Sequence, residues 1–166
     1  MHLDEHVKAI NDMKKSFIER TAIQYGSLMA LALAGFFLLM KAFGLEHNLE
    51  LRALNLFILF SFVLMSIDHF KKNRSENFIY LKGLGLGLLT SAIGVIIFAT
   101  LVILYITVIN PSFMEVIRQN EPFGSFLSPV LVGFTIIIEG MASGFLATYA
   151  IMQYYKKSHF VSPIKK

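Results

Sequence analysis

"TAIQYGSLMALALAGFFLLM", residues 21–40, is twenty residues without a charge. At ~1.5 Å of rise per helical residue such a run crosses a hydrocarbon core of ~30 Å. About twenty charged and polar residues precede it with no small-residue cleavage pattern, so it reads as a retained span and not a secretory signal. The rest of the chain agrees with a membrane assignment: of 166 residues, 55% are hydrophobic and only 16% charged, well outside the soluble range. Cysteine is absent, which excludes disulfides, thiolate catalysis and cysteine-held metals, and tryptophan is absent, so any interfacial aromatic belt must use Tyr and Phe.

Working outward, three more apolar stretches follow. The second, 53–67, has fifteen uncharged residues and reaches full length, about 50–70, only if Asp68 and His69 sit at headgroup level. The third, 83–110, is over-long, ends at Pro111 and should tilt or protrude. The fourth, about 126–154, is interrupted by Glu139 alone. Lysine and arginine test the count independently of hydropathy. Successive connecting segments carry four, two, four, one and four of them, so alternate segments hold twelve against three. That asymmetry predicts four spans with both termini on the cytoplasmic side.

The predicted fold is therefore all-α, an integral membrane four-helix bundle with both termini inside. An N-terminal amphipathic helix (1–20) precedes the membrane domain (21–155, spans about 21–42, 50–70, 83–110 and 126–154), and a basic tail (156–166) follows it. In the N-terminal helix Leu3, Val7, Ile10 and Phe17 follow helical spacing, broken by Lys14. It is expected to lie on the inner leaflet or to continue the first span, with docking onto a partner protein as the rival.

Lipid gives helices no hydrophobic reason to associate, so close packing relies on small residues. Gly26 and Ala30 mark the first span, Gly83, Gly87 and Ser91 the third, and Gly133, Gly140 and Gly144 the fourth. Spans one, three and four should make the tight contacts, with span two more peripheral. The Gly140/Gly144 pair is a rival homodimer face. Gly26 with Gly35 and Gly85 with Gly94 share a spacing that hints at duplicated hairpins.

Glu139 is the chemical anomaly. It falls near mid-span, where an ionised carboxylate costs at least ~2.5 kcal/mol, so it should face protein or water. At ~100° per residue Ser128, Thr135, Glu139, Ser143 and Gln153 share one arc of the helix. Thr100 and Ser61 are the candidate partners by depth from other spans. The residue either fixes packing through an interhelical hydrogen bond or serves a proton or cation path. The bland role leads, because a working path needs several ionisable groups and this chain supplies one.

Other patterns carry less. Asp68-His69 before Lys71, Lys72 and Arg74 reads as an interfacial cap on a short span in preference to a metal or phosphate site, and His2/His6 lie too near a terminus to favour a metal. "GLGLGLL" from Gly83 lacks phosphate-loop spacing, and no nucleophile elbow or zincin motif is present. The basic residues lie beside spans, as topology determinants do, so no nucleic acid is expected; nor are a cofactor, a metal or enzymatic activity.

Tyr25-Gly26 at the start of the first span, "FIYLKGLGLGLLTS" (78–91) and "YITVINPSFMEV" (105–116) together resemble a family of small bacterial integral membrane proteins, a domain of unknown function with four spans. The resemblance covers most of the chain after residue 16. It implies the four-span topology and a bacterial inner membrane, and it transfers no functional residue. The expectation is a non-enzymatic scaffold or accessory subunit in the lipid bilayer, with a homodimer or a membrane-protein partner. The alternative is a proton- or cation-coupled transporter or channel using Glu139.

Overall fold

The computed structural model describes residues 2–44, 49–73, 80–120 and 123–160, and side chains within 17–44, 53–73, 80–119 and 123–156. These residues form α1 (His2–Ala42), α2 (Leu49–Asn73), α3 (Tyr80–Leu104), α4 (Phe113–Asn120) and α5 (Pro129–Phe160), with no strand among them. Four stretches are long and apolar enough to cross a membrane: Phe17–Ala42, Ala53–Asn73, Tyr80–Ile109 and Pro129–Lys156. The doubtful second span is thus a full helix, shifted three residues toward Asn73. Their outer faces carry large exposed hydrophobics such as Leu31, Phe57, Val108, Phe134 and Leu146, a surface that suits lipid and not water. The chain is a multi-pass membrane protein.

The N-terminal helix continues the first span without a break: α1 begins at His2, fifteen residues and ~22 Å before Phe17. The side chains of Leu3, Val7, Ile10 and Lys14 in its proposed amphipathic stripe, with His2 and His6, lie outside the described residues, as do Lys165 and Lys166 of the tail.

Ring and hydrogen-bond pairs give the up-down-up-down order. At one end Phe17 of α1 meets Phe70 of α2 and Tyr155 of α5 donates to Asp68 of α2, 3.3 Å. At the other, Phe37 of α1 meets Tyr105 and Phe113. We call these the terminus side and the loop side.

Helix α3 is the hub. It packs tightly on α1 and α5, and α2 touches all three, whereas α1 and α5 form no packed interface with each other. The expected trio of tightly packed spans is therefore two pairs sharing α3, because α2 occupies the gap between α1 and α5. Small residues make both pairs. A Cβ on Gly26 would lie 2.9 Å from the Thr90 carbonyl, and one on Gly94 2.9 Å from the Gly26 carbonyl, so the α1 and α3 backbones approach each other directly. On α5, Cβ atoms at Gly140 and Gly144 would come within 2.6 Å of Val95 and 2.5 Å of Ser91, and Gly133 faces Ile103. Gly87 faces Thr148 in the same interface, and Gly83 and Ala30 are buried. The Gly140/Gly144 face is thus occupied within the chain and is not free for a second copy. Gly35 and Gly85 meet nothing, so the shared glycine spacing has no structural counterpart.

Between α3 and α5 lies an element the apolar pattern conceals. The end of the third span widens into a π-helical turn, Tyr105–Ile109, closed by Asn110 N–H donating to the Tyr105 carbonyl, 2.9 Å. Pro111 then stops the helix, and the amphipathic α4 folds back with Phe113 and Met114 buried. Gly124 is pressed against the Arg118 carbonyl, and Arg118 Nε donates to the Leu127 carbonyl, 3.3 Å, closing the return to α5.

Candidate functional site

The two halves of the bundle are filled differently. On the terminus side the core is dense, and its buried hydroxyls are all bonded. Thr90 donates to the Leu86 carbonyl (2.8 Å) and lies 2.9 Å from Ser66 Oγ. Since the single Thr90 proton is already given, Ser66 is the donor of that pair. Ser91 and Thr148 donate to Leu88 and Gly144 carbonyls, 3.0 and 2.7 Å. At the rim, Asp68 holds Lys72 at 2.7 Å, Lys71 lies 4.2 Å from the Tyr155 ring centre, and Gln153 donates to Tyr80 Oη, 3.3 Å. The Asp68 and His69 cluster is thus an interfacial knot, with His69 stacked on Phe17 and tilted on Tyr25.

On the loop side α2 and α5 part, and a partly open cavity of about 460 Å³ lies among α1, α2, α3 and α5. Val95 and Ser143 mark its deep end, and Phe113 and Ile117 of α4, with Phe123 and Leu127, roof it. Beside the roof Phe37, Tyr105 and Phe113 meet edge to face, and Lys41 Nζ stands 4.4 Å from the Tyr105 ring and 5.3 Å from Phe113. That cation–π contact ties the end of α1 to the π-helical turn and to α4.

Among the described residues nineteen line the cavity and four of them are polar: Asn55, Thr135, Glu139 and Ser143. Three of them, Thr135, Glu139 and Ser143, follow i, i+4, i+8 spacing down one face of α5. Glu139 lies ten residues past Pro129, ~15 Å into the span. It is exposed, not buried, and among the described residues its carboxylate has no hydrogen-bond or ion-pair partner. This corrects the expectation that it fixes packing through an interhelical hydrogen bond; it faces the open cavity instead. The physical reason is local: Gly140, its neighbour in sequence, takes the face that packs on α3, which turns Glu139 toward the gap left by α2.

The candidate partners do not reach it. Ser61 donates to the Phe57 carbonyl and Thr100, exposed on α3, to the Ile96 carbonyl, both 2.8 Å and both within their own helices. Ser128 sits at the loop end, where its Oγ accepts the Leu131 N–H at 3.3 Å as an N-cap. Thr135 donates to the Leu131 carbonyl, 3.0 Å, and so offers the cavity only lone pairs.

Sequence reasoning missed Asn55. Its side-chain Oδ1 is buried with no hydrogen-bond partner. A signal was available, since it is the only amide between Ala53 and Ile67, but counting charges passes over it. Among the described residues, no three His, Asp or Glu side chains converge to hold a metal.

The fold and site define an all-helical, multi-pass membrane protein with a polar-footed cavity opening from mid-span to one side. The sequence matches the DUF4199 family, described as proteins of unknown function, over residues 24–122, more than half the chain, and the chain belongs to that family. The matched stretch runs from α1 through α4 and ends before α5, so Thr135, Glu139 and Ser143 lie beyond it. No curated protein and no solved structure matches the chain.

Proposed function

We propose that this chain is a non-enzymatic binding protein of the bilayer, which holds a ligand in the loop-side cavity with Glu139 as its polar anchor. The observation that carries this reading is a partnerless carboxylate on the wall of a cavity of about 460 Å³. That volume falls in the range of ~300–1,000 Å³ typical of small-molecule sites, and an apolar wall with few polar groups is their usual lining. A pure scaffold has no use for such a group: it costs solvation and returns no packing contact. We further propose residence in a bacterial inner membrane with both termini cytoplasmic, supported by the twelve-to-three distribution of Lys and Arg.

Transport is the second reading. In its favour, the cavity lies on the loop side, above a half whose hydroxyls Ser66, Thr90, Ser91 and Thr148 are buried. A carrier would have to part α2 from α5 on the terminus side as well, and proteoliposome flux lost in Glu139→Gln would support it.

Because the chain lacks cysteine, the binding reading can be tested by thiol labelling in nanodiscs. Ser143→Cys is expected to react with a water-soluble cationic methanethiosulfonate at least ten times faster than Ser91→Cys, and faster than with the anionic reagent. Equal inertness of the two positions would remove the reading.

A further inference from the structure

Among the described residues, the one ionisable group that lines the cavity is an acid. Glu139 offers a carboxylate that no group among the described residues answers, Thr135, having given its proton to the Leu131 carbonyl, offers only lone pairs, and Ser143 a hydroxyl that can accept as well as donate, while the Asn55 Oδ1 is enclosed beside them without a partner. Among the described residues no Lys, Arg or His lines the space. A site that presents acceptors, one of them anionic, is completed by a ligand that brings N–H donors and a positive charge. The other fifteen lining residues are apolar or glycine, including Leu59, Phe98, Val102 and Ile136, and they demand a hydrocarbon body.

Resting on the binding reading above, we propose that the cavity takes an amphiphilic organic ammonium, its N–H₃⁺ head at Glu139 and its alkyl part along the α2 and α3 walls toward the roof. A neutral amphiphile would leave the carboxylate unanswered, and an anionic one would be repelled in a setting where low dielectric magnifies both effects. Inorganic cations fit poorly, since one carboxylate and a few neutral oxygens in an apolar space replace only a small part of a hydration shell.

The test uses the full chain in zwitterionic nanodiscs and three probes with the same tail: octylammonium, octanol and octyl sulfate. Octylammonium is expected to protect Ser143→Cys from the thiol reagent at a concentration at least ten times lower than octanol, with octyl sulfate weaker still. Glu139→Gln, introduced beside Ser143→Cys, should erase the tenfold preference, and Asn55→Leu should weaken ammonium binding several-fold without erasing it. Equal protection by ammonium and octanol, or tighter binding of the sulfate, overturns the ligand class while leaving the cavity a binding site. Should Ser143→Cys react readily and no probe protect it, the ligand class falls as well. The three-probe comparison on otherwise unaltered protein needs no carboxylate variant, so it stands even if one fails to fold.

Discussion

The terminus-side and loop-side halves of this bundle are built from the same four spans and similar numbers of polar residues, yet they treat them in opposite ways. Below mid-span every buried hydroxyl has a partner: Ser66 on Thr90, and Thr90, Ser91 and Thr148 on backbone carbonyls. Above it, among the described residues, Glu139 and the Asn55 oxygen have none. In lipid an unsatisfied polar group is expensive, so the satisfied half is where stability resides, and the unsatisfied half is where the proposed ligand would bind. The division follows the helix contacts. Where α2 meets α5 through Asp68 and Tyr155 the core closes, and where they part α4 must roof what is left.

The largest expected effect comes from breaking the closed half. Gly26→Leu drives a side chain into the Thr90 carbonyl, and a backbone cannot rotate away. A loss of about 3 kcal/mol or more is expected, read as failure to unfold cooperatively in detergent titration. A tolerated Leu would mean that α1 and α3 do not approach as described.

Next comes a matched pair. Ala147→Leu adds bulk to a core residue only 5% exposed and should cost ~1–3 kcal/mol. Val132→Phe adds bulk on the cavity wall, where free volume accepts it, and should cost less than ~0.5 kcal/mol while abolishing ligand protection of Ser143→Cys. Equal costs would erase the distinction between the halves.

Much of this architecture was legible in the residues. Four apolar runs, the basic clusters between them, and the steps Gly140-x-x-x-Gly144 and Gly87-x-x-x-Ser91 carry local information that maps directly onto spans and close contacts. What escaped depends on relations between spans. That Gly140 faces α3 follows from its lack of a Cβ, but that α2 leaves the opposite side of α5 open is a property of three helices at once. The cavity, the exposure of Glu139 and the role of Asn55 all follow from that gap. The α4 roof escaped for another reason: eight residues with Phe113, Met114 and Ile117 on one face are too short for periodicity to separate from a loop. The Ser61 and Thr100 pairing with Glu139 failed because a serine or threonine inside a helix finds the carbonyl four residues back before it finds another helix.

A smaller effect probes the paired hydroxyls. Thr90→Val removes the acceptor that Ser66 uses and should cost ~0.6–1.5 kcal/mol in reversible unfolding, with Ser66→Ala on the Thr90→Val background recovering part of it. Full additivity of the two changes would show that the pair is not coupled.

The smallest expected change is at the residue most conspicuous in the sequence. An acid at mid-span that held helices together would lose its bond and leave a buried partner stranded when altered, at a cost of at least ~1 kcal/mol. Glu139 has no such partner among the described residues, and its side chain stands in open space, so Glu139→Gln removes the acid without removing a contact. Its unfolding free energy should match the parent within ~0.5 kcal/mol, and Glu139→Leu should be equal or slightly more stable, since an unanswered carboxylate in apolar surroundings is a cost to the folded state. A loss above ~1 kcal/mol in Glu139→Gln would return the residue to a structural role and erase the contrast between the two halves. Unchanged stability with lost ammonium binding would instead separate the part of the molecule that holds the bundle from the part that uses it.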